Sequence, residues 1–449
     1  MYKVILATRY LLRRRITYFA VLAVALCVFI VVIVMTVMTG LVDDFKQKNH
    51  DFVGDCVVGS ESLVGFAYYE DFVEKLERAE FVEAVSEVIK GYALLSPRGR
   101  DVNRGVEIMG IDPVRHSRAT GFASTLYYRK DDVPRAFEPS YDPNLPGCVL
   151  GIDLASQRDA NSHYSYQASP SRVGFAVTFF PLTARGALAG AGAGLVNTKT
   201  FYYSDLSQSG LARVDGSLVY LPFKEAQLLC GMAGPVKRVN AIHIKFKPAV
   251  GLKAGCDAVA APWNRFKEQK AGENQAYLLD TVTVQGWKSY RRMLIAAMEK
   301  EQTMMTVMFG FVGIVTVFIV LVVFYMLISH KSKDIGVLRS IGASTTDIIG
   351  LFCGFAFLVG LIGSLIGLSG GWLFLLKINR LEDWLFEHFG FQVWDRTMFA
   401  IGDIPSQVSP RVLAVIAFSA IAACLIGALV PSWQAIRLKP VETLQVNQL

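Results

Sequence analysis

Residues His330 to Asp347 read HKSKDIGVLRSIGASTTD, a short charged stretch between two long uncharged apolar runs, Thr303 to Ser329 and Ile348 to Leu376. Each run is long enough to cross a bilayer. The stretch between them therefore sits at a membrane face. Its cations His330, Lys331, Lys333 and Arg339 outnumber Asp334 and Asp347, and basic short loops stay on the cytoplasmic side. Ile335, Leu338 and Ile341 fall at helical spacing, so one apolar face runs between the charges. Gly342 can stop such a short helix in a left-handed conformation. Ser344 followed by Asp347 reads as the N-cap of the next helix. The pattern predicts a small amphipathic helix across the cytoplasmic mouth of a helical hairpin. A solvated connector is the plainer reading of a lone amphipathic pattern.

Outward from this stretch the chain divides by hydropathy. Lys3, Arg9, Arg13, Arg14 and Arg15 precede an apolar run from Ile16 to Val42, and Asp43 and Asp44 follow it. Basic residues on that flank place the amino terminus inside. The run is too long for an ordinary signal-peptide core and predicts an uncleaved first transmembrane helix. The expected layout is a cytoplasmic basic segment at 1–15, a first span at 16–42, and a large extracytoplasmic domain at 43–302. A second span at 303–329, the charged stretch at 330–347, and a third span at 348–376 follow. An external loop at 377–411, a fourth span at 412–436 and a cytoplasmic tail at 437–449 complete it. Pro431 near the inner end of the last span is compatible with a kink.

Within the insertion, Tyr69 to Lys90 has charged and apolar residues at helical spacing, and Lys224 to Cys230 and Gly255 to Lys270 also read as helical. Runs rich in β-formers occur at Val106 to Ile111, Arg172 to Phe180, Ser217 to Phe223, Ala241 to Phe246 and Leu278 to Val284. The fold class is thus a membrane protein with four transmembrane α-helices and a large α+β extracytoplasmic domain between the first and second.

Composition narrows the function classes. The chain of 449 residues is 53% hydrophobic and only 18% charged, which fits a membrane protein with a large soluble part. Its net charge of +7 collects where membrane topology needs it, and no nucleic-acid motif accompanies it. The seven cysteines contain no C-x-x-C and no Cys/His cluster. Cys56, Cys148, Cys230 and Cys256 fall in the insertion, where disulfides and free buried thiols are both open readings. GALAGAGAG at Gly186 to Gly194 reads as a flexible loop and lacks the third glycine of a dinucleotide fingerprint. No G-x-x-x-x-G-K-[ST] phosphate loop occurs, so the chain supplies no P-loop ATPase of its own. The uncharged cores of the four spans hold no Asp, Glu, Lys, Arg or His, against what an ion-coupled transporter or membrane enzyme usually needs. His163 and His243 are scattered in the insertion and read as structural or solvated. A membrane sensor would need a cytoplasmic signalling domain, and the cytoplasmic parts read here are all short.

The segment K-D-I-G-V-L-R-S-I-G-A-S closely resembles the signature of the permease subunits of MacB/LolC/FtsX-type ABC transporters: acidic, Ile, Gly, apolar, Leu, Arg or Lys, two residues, Gly-Ala-Ser. The resemblance implies a coupling helix that docks on a partner ATPase through Lys331, Lys333, Asp334, Ile335, Gly336, Leu338, Arg339 and Gly342. G-V-E-I-M-G-I-D-P at Gly105 to Pro113, G-C-V-L-G-I-D-L-A at Gly147 to Ala155, and the stretch Ser209 to Leu229 are similar to the LolC/LolE lipoprotein-releasing branch. V-W-D-R-T-M-F-A-I-G-D-I-P before the last span and the tail P-S-W-Q-A-I-R-L-K-P-V-E-T-L-Q are similar to it too. That branch implies a non-catalytic subunit of the bacterial inner membrane, both termini cytoplasmic. ATP and Mg would be bound by a separate cytoplasmic ATPase, and this chain would hold no cofactor. It also implies a second permease copy or paralogue, membrane lipid, and a periplasmic lipoprotein carrier as partners, and no nucleic acid. A MacB-like mechanotransmission permease is the alternative. Finally, Gly350 with Gly354, and Gly363, Gly367 and Gly371, place small residues every fourth position of the third span. Such a stripe lets a helix approach closely, from another subunit or from the same one.

Overall fold

The computed structural model describes residues 15–98, 103–156, 164, 169–188, 196–330, 342, 344–390 and 404–437. They fall into two compact units, a helical one and a sheet-based one. The boundaries between them lie at 43/44, inside the first long helix, and at 296/297, inside the second.

Among the described residues, the helical unit has four helices long and apolar enough to cross a membrane. They are α1 (Arg15–Val53), α6 (Arg292–His330), α7 (Thr345–Phe389) and α8 (Pro410–Arg437). Each continues beyond the apolar run that predicts it. Residues 377–389, the start of the stretch expected as an external loop that is partly an amphipathic helix, continue α7. Nothing in KINRLEDWLFEHF breaks a helix, and the stop comes at Gly390, whose φ of 64° ends it while its N–H donates to the Phe386 carbonyl at 2.9 Å. Pro431 stays inside α8, where it cannot donate to the preceding turn.

The sheet unit lies between α1 and α6 in sequence. Nine strands order as β11-β1-β10-β3-β4-β8-β5-β7-β6, with a further β3–β6 pairing. The strands are β1 (Cys56–Ser60), β2 (Phe66–Ala67), β3 (Val82–Pro97), β4 (Arg104–Ile111), β5 (Gly147–Gly151), β6 (Gly174–Phe179), β7 (Asn197–Ser207), β8 (Leu218–Pro222), β9 (Arg238–Val239), β10 (Ala241–Phe246) and β11 (Val282–Gly286). β2 and β9 form a separate pair. Because β3 bonds both β4 and β6, the six strands β3-β4-β8-β5-β7-β6 close on themselves. The first half of β3 pairs instead with β10, which carries β1 and then β11 outward. Helices α2 (Tyr69–Glu77), α3 (Pro113–Ala119), α4 (Phe223–Leu229) and α5 (Leu252–Gln269) complete the α+β unit. One core packs Phe66, Phe72, Trp263 and Phe266 together, with Phe72 at 4.8 Å from Trp263 and 5.3 Å from Phe266 between ring centroids.

Two local expectations are corrected. Tyr69 to Lys90 is helical only to Glu77, and Val82 onward is strand. Val82, Val85 and Ile89 enter one core cluster while Val88 enters another. A strand covered on both faces loses its alternation, and its apolar residues then fall by chance at helical spacing. Past Gly91 the alternation returns, with Tyr92 and Leu94 exposed between buried Ala93 and Leu95. Leu278 to Val284 begins as a 3-10 turn, Ala276–Thr281, and becomes strand only at Val282.

Candidate functional site

The stretch that organises the sequence is described only at its ends, His330 closing α6 and Gly342 and Ser344 onward. Lys331, Lys333, Asp334, Ile335, Gly336, Leu338 and Arg339 lie outside the described residues. Gly342 has φ 101°, a conformation that L side chains rarely adopt. Two residues on, Ser344 caps α7. Its Oγ accepts from the Asp347 N–H at 3.2 Å, and the Asp347 carboxylate accepts the Ser344 N–H at 3.3 Å and its hydroxyl at 2.7 Å. This reciprocal box satisfies two of the donors a helix start leaves open. It fixes where the third span begins and so where the preceding stretch must end.

Beyond that cap, α7 is held against α1 at backbone distance. A Cβ added to Gly363 would lie 2.8 Å from a Val24 methyl. At Gly367 it would lie 2.6 Å from the Ala25 carbonyl oxygen, and at Gly371 2.9 Å from Val32. The glycine stripe thus faces a helix of the same chain. Gly360 does the same toward α8, with Ile421 Cα at 3.1 Å, and Gly427 toward α6, with the Val317 carbonyl oxygen at 2.8 Å. These last two belong to no regular stripe, so periodicity misses them. Gly310, Gly313, Gly350 and Gly354 meet nothing within 4 Å. Gly310 and Gly313 line an apolar cleft of about 340 Å³ between α1, α6 and α8, with Val24, Val31, Phe309 and Ala420 among its walls.

In the sheet unit the distinctive sequence segments turn out to be folding devices. Asp112, the acidic residue of G-V-E-I-M-G-I-D-P, caps α3: its Oδ1 accepts from the Val114 and Arg115 N–H groups at 3.0 and 2.9 Å. Asp215, in the segment from Ser209, accepts from the Ser209 N–H and hydroxyl at 2.7 and 2.8 Å and from the Gly210 N–H at 2.9 Å. Burial pushes its carboxyl up to about 6 despite those donors. Gly147 to Ala155 makes β5 and the turn that follows it.

The buried histidines of this unit sit apart from its acidic cleft. His243 is fully buried, and burial, then Lys90, hold it well below the usual histidine range. His116 donates or accepts at Ser86 Oγ, 3.0 Å away, and burial lowers it to about 3. His163 lies outside the described residues. No cluster of metal-ligating side chains occurs among the described residues. A cleft of about 640 Å³ beside α2 and α3 is lined by Glu70, Glu74, Glu77, Glu87 and Asp112. Arg115 crosses it, reaching Glu77 at 2.6 Å and Glu87 at 3.2 Å.

Residues 306–440 match the FtsX-like permease C-terminal family. LolC, a lipoprotein-releasing system transmembrane protein of Neisseria meningitidis serogroup B, is 22% identical over 432 residues, covering 96% of this chain and 94% of that protein. LolC of Xylella fastidiosa is 23% identical over 247 residues, 55% of each chain. Among solved structures, the periplasmic region of MacB from Actinobacillus actinomycetemcomitans aligns with 56% of this chain and 97% of its own, at 9% identity and a TM-score of 0.31. The extracellular domain of the ABC-type transporter YknZ from Gram-positive bacteria aligns with 52% and 98%, at 12% identity and a TM-score of 0.28. Among the described residues, four membrane-length helices carry an α+β unit between the first and second in sequence; the region 306–440 is similar to FtsX-like permeases, and nearly the whole chain is similar to LolC.

Proposed function

We propose that this chain is the membrane subunit of an ABC transporter that releases lipoproteins from the bacterial inner membrane. One observation carries the reading: the match to a protein of a lipoprotein-releasing system runs over 96% of the chain, so it includes the sheet unit and not only the spans. Both termini then face the cytoplasm, as the arginines at 13–15 favour, and the sheet unit faces the periplasm. A cytoplasmic ATPase binds ATP and Mg and docks on residues 330–342. Ile335 and Leu338 fill its groove while Lys331, Lys333 and Arg339 lie at the rim. A second permease copy or paralogue completes the membrane part, and a periplasmic carrier receives the product. The acyl chains of the substrate pass through the apolar cleft at Gly310 and Gly313, where apolar walls favour lipid over a hydrophilic solute.

Co-purification with mass spectrometry identifies the ATPase, and release of an acylated lipoprotein from proteoliposomes identifies the substrate. Buried centres of interfaces contribute most and rim charges least. Leu338→Asp therefore abolishes ATPase association, and Lys331→Ala weakens it modestly. Unchanged complex formation and turnover in Leu338→Asp reduces the stretch to a connector. Normal assembly with export of a soluble substrate instead supports a MacB-like permease.

A further inference from the structure

The sheet unit contains two cysteines that the permease reading does not use, and the strand register brings them together. Cys56 on β1 pairs directly with Gly286 on β11. A Cβ on Gly286 would lie 3.4 Å from Cys256 Sγ of α5. Directly opposed residues present their Cβ positions on the same face of a sheet. Cys256 Sγ thus sits over the cross-strand pair, on the face that carries the Cys56 side chain. The two thiols influence each other: Cys256 raises the Cys56 thiol and Cys56 lowers that of Cys256. Cys56 is fully buried and Cys256 is partly exposed. Among the described residues, neither Cys148 nor Cys230 has such a neighbour; each is raised by burial alone, Cys230 to about 12.

We propose that Cys56 and Cys256 form a disulfide that ties β1 to α5. The inference rests on the periplasmic placement of the sheet unit, since disulfides persist in oxidising compartments. The oxidant is a disulfide-bearing thiol oxidoreductase of that compartment. Cys256 is the entry point because it is the reachable thiol, and the neighbouring Cys56 holds it below the ordinary range against the opposing effect of burial. Its thiolate attacks one sulfur of the donor disulfide, and the other donor sulfur leaves as a thiolate. Cys56 then gives up its proton and attacks Cys256 Sγ in the mixed disulfide, releasing the donor's first sulfur. Two protein thiols are oxidised to one disulfide. The donor disulfide is reduced to two thiols, which take up the two protons lost by the protein. The bond joins residues 200 positions apart (256 − 56). It closes a loop around most of the unit, which restricts the unfolded chain strongly.

The full chain, purified in detergent and reduced, is treated with oxidised glutathione, denatured, alkylated and mapped without reduction. The expected result is a linked pair of peptides containing Cys56 and Cys256, lost on adding dithiothreitol, with Cys148 and Cys230 still alkylated. Cys56→Ser should stop at glutathione-capped Cys256, and Cys256→Ser should leave Cys56 a free thiol. Two unlinked thiols in the oxidised wild type, or linkage to Cys148 or Cys230, overturns the proposal. In cells, a cysteine at Ser209 in a background lacking the native cysteines tests placement separately with an impermeant maleimide. Labelling there together with a fully reduced Cys56 and Cys256 in the wild type also overturns the disulfide. Absence of labelling overturns the periplasmic reading instead, leaving the disulfide to be judged on the purified chain.

Discussion

In the helical unit, Gly363, Gly367 and Gly371 bring α1 so close to α7 that a methyl group has no room. In the sheet unit, Phe66, Phe72, Trp263 and Phe266 fill the core with ring volume. The difference follows from the surroundings. Lipid tails are as apolar as leucine, so helices in a bilayer gain little by burying large apolar side chains and more by close backbone contact. A water-facing unit gains from every apolar surface it removes from water. The two units also differ in how many ionisable groups they bury. The uncharged span cores hold none, and among the described residues the helical unit buries Glu382 further along α7, whereas the sheet unit buries His116, His243, Asp205 and Asp215.

The largest effect expected concerns the helices that run through the unit boundaries at 43/44 and 296/297. If α1 and α6 carry motion from the cytoplasmic side as stiff rods, Gly-Gly-Ser inserted after Glu299 preserves assembly and basal ATP hydrolysis but abolishes lipoprotein release. Normal release from an assembled insertion variant would falsify rigid transmission. Next, the sheet unit should be most sensitive to lost volume. Phe72→Ala removes a fully buried ring and should cost about 3–5 kcal/mol, read from denaturant unfolding of the full chain in detergent. The bundle should be most sensitive to added volume. Gly367→Leu should cost about 1–3 kcal/mol of packing and lower the thermal midpoint of the detergent-solubilised chain. Equal tolerance of both changes would erase the contrast between the units.

The smallest effect is on pH dependence and belongs to the sheet unit alone. His116 is held down to about 3 when folded, against about 6.5 when unfolded. Between those values the unfolded chain binds the extra proton, so this residue's contribution is complete above about pH 6.5 and declines as pH falls toward 3. The slope is at most about 1.4 kcal/mol per pH unit for one group. Asp215, raised by burial to about 6, acts in the opposite direction: its proton is held more tightly when folded, so its contribution declines as pH rises from about 3.9 to 6. Comparing variants separates the two. His116→Leu should flatten the acid side of the stability curve relative to wild type, and an unchanged curve would show that the imidazole is not buried neutral.

Residue order alone pointed to the four membrane-length helices found among the described residues and to the large insertion between the first two, because twenty apolar residues in a row have few places to go but a bilayer. It also settled the cap at Ser344 and Asp347, because a capping box is a contact between residues three apart and needs no tertiary partner. The resemblance at 331–342 was equally local, a contiguous run of side chains. Only the tertiary structure decided that β3 is a strand from Val82, since burial on both faces had erased its alternation. Only it decided which helix meets the glycine stripe, since a period of small residues describes one surface and not its partner. The closure of six strands through β3 and β6, and the placing of Cys256 over the strand pair of Cys56 and Gly286, depend on pairings between residues far apart in the chain. Local sequence carries no signal of such pairings, because they are set by which strands lie beside each other once the core has formed.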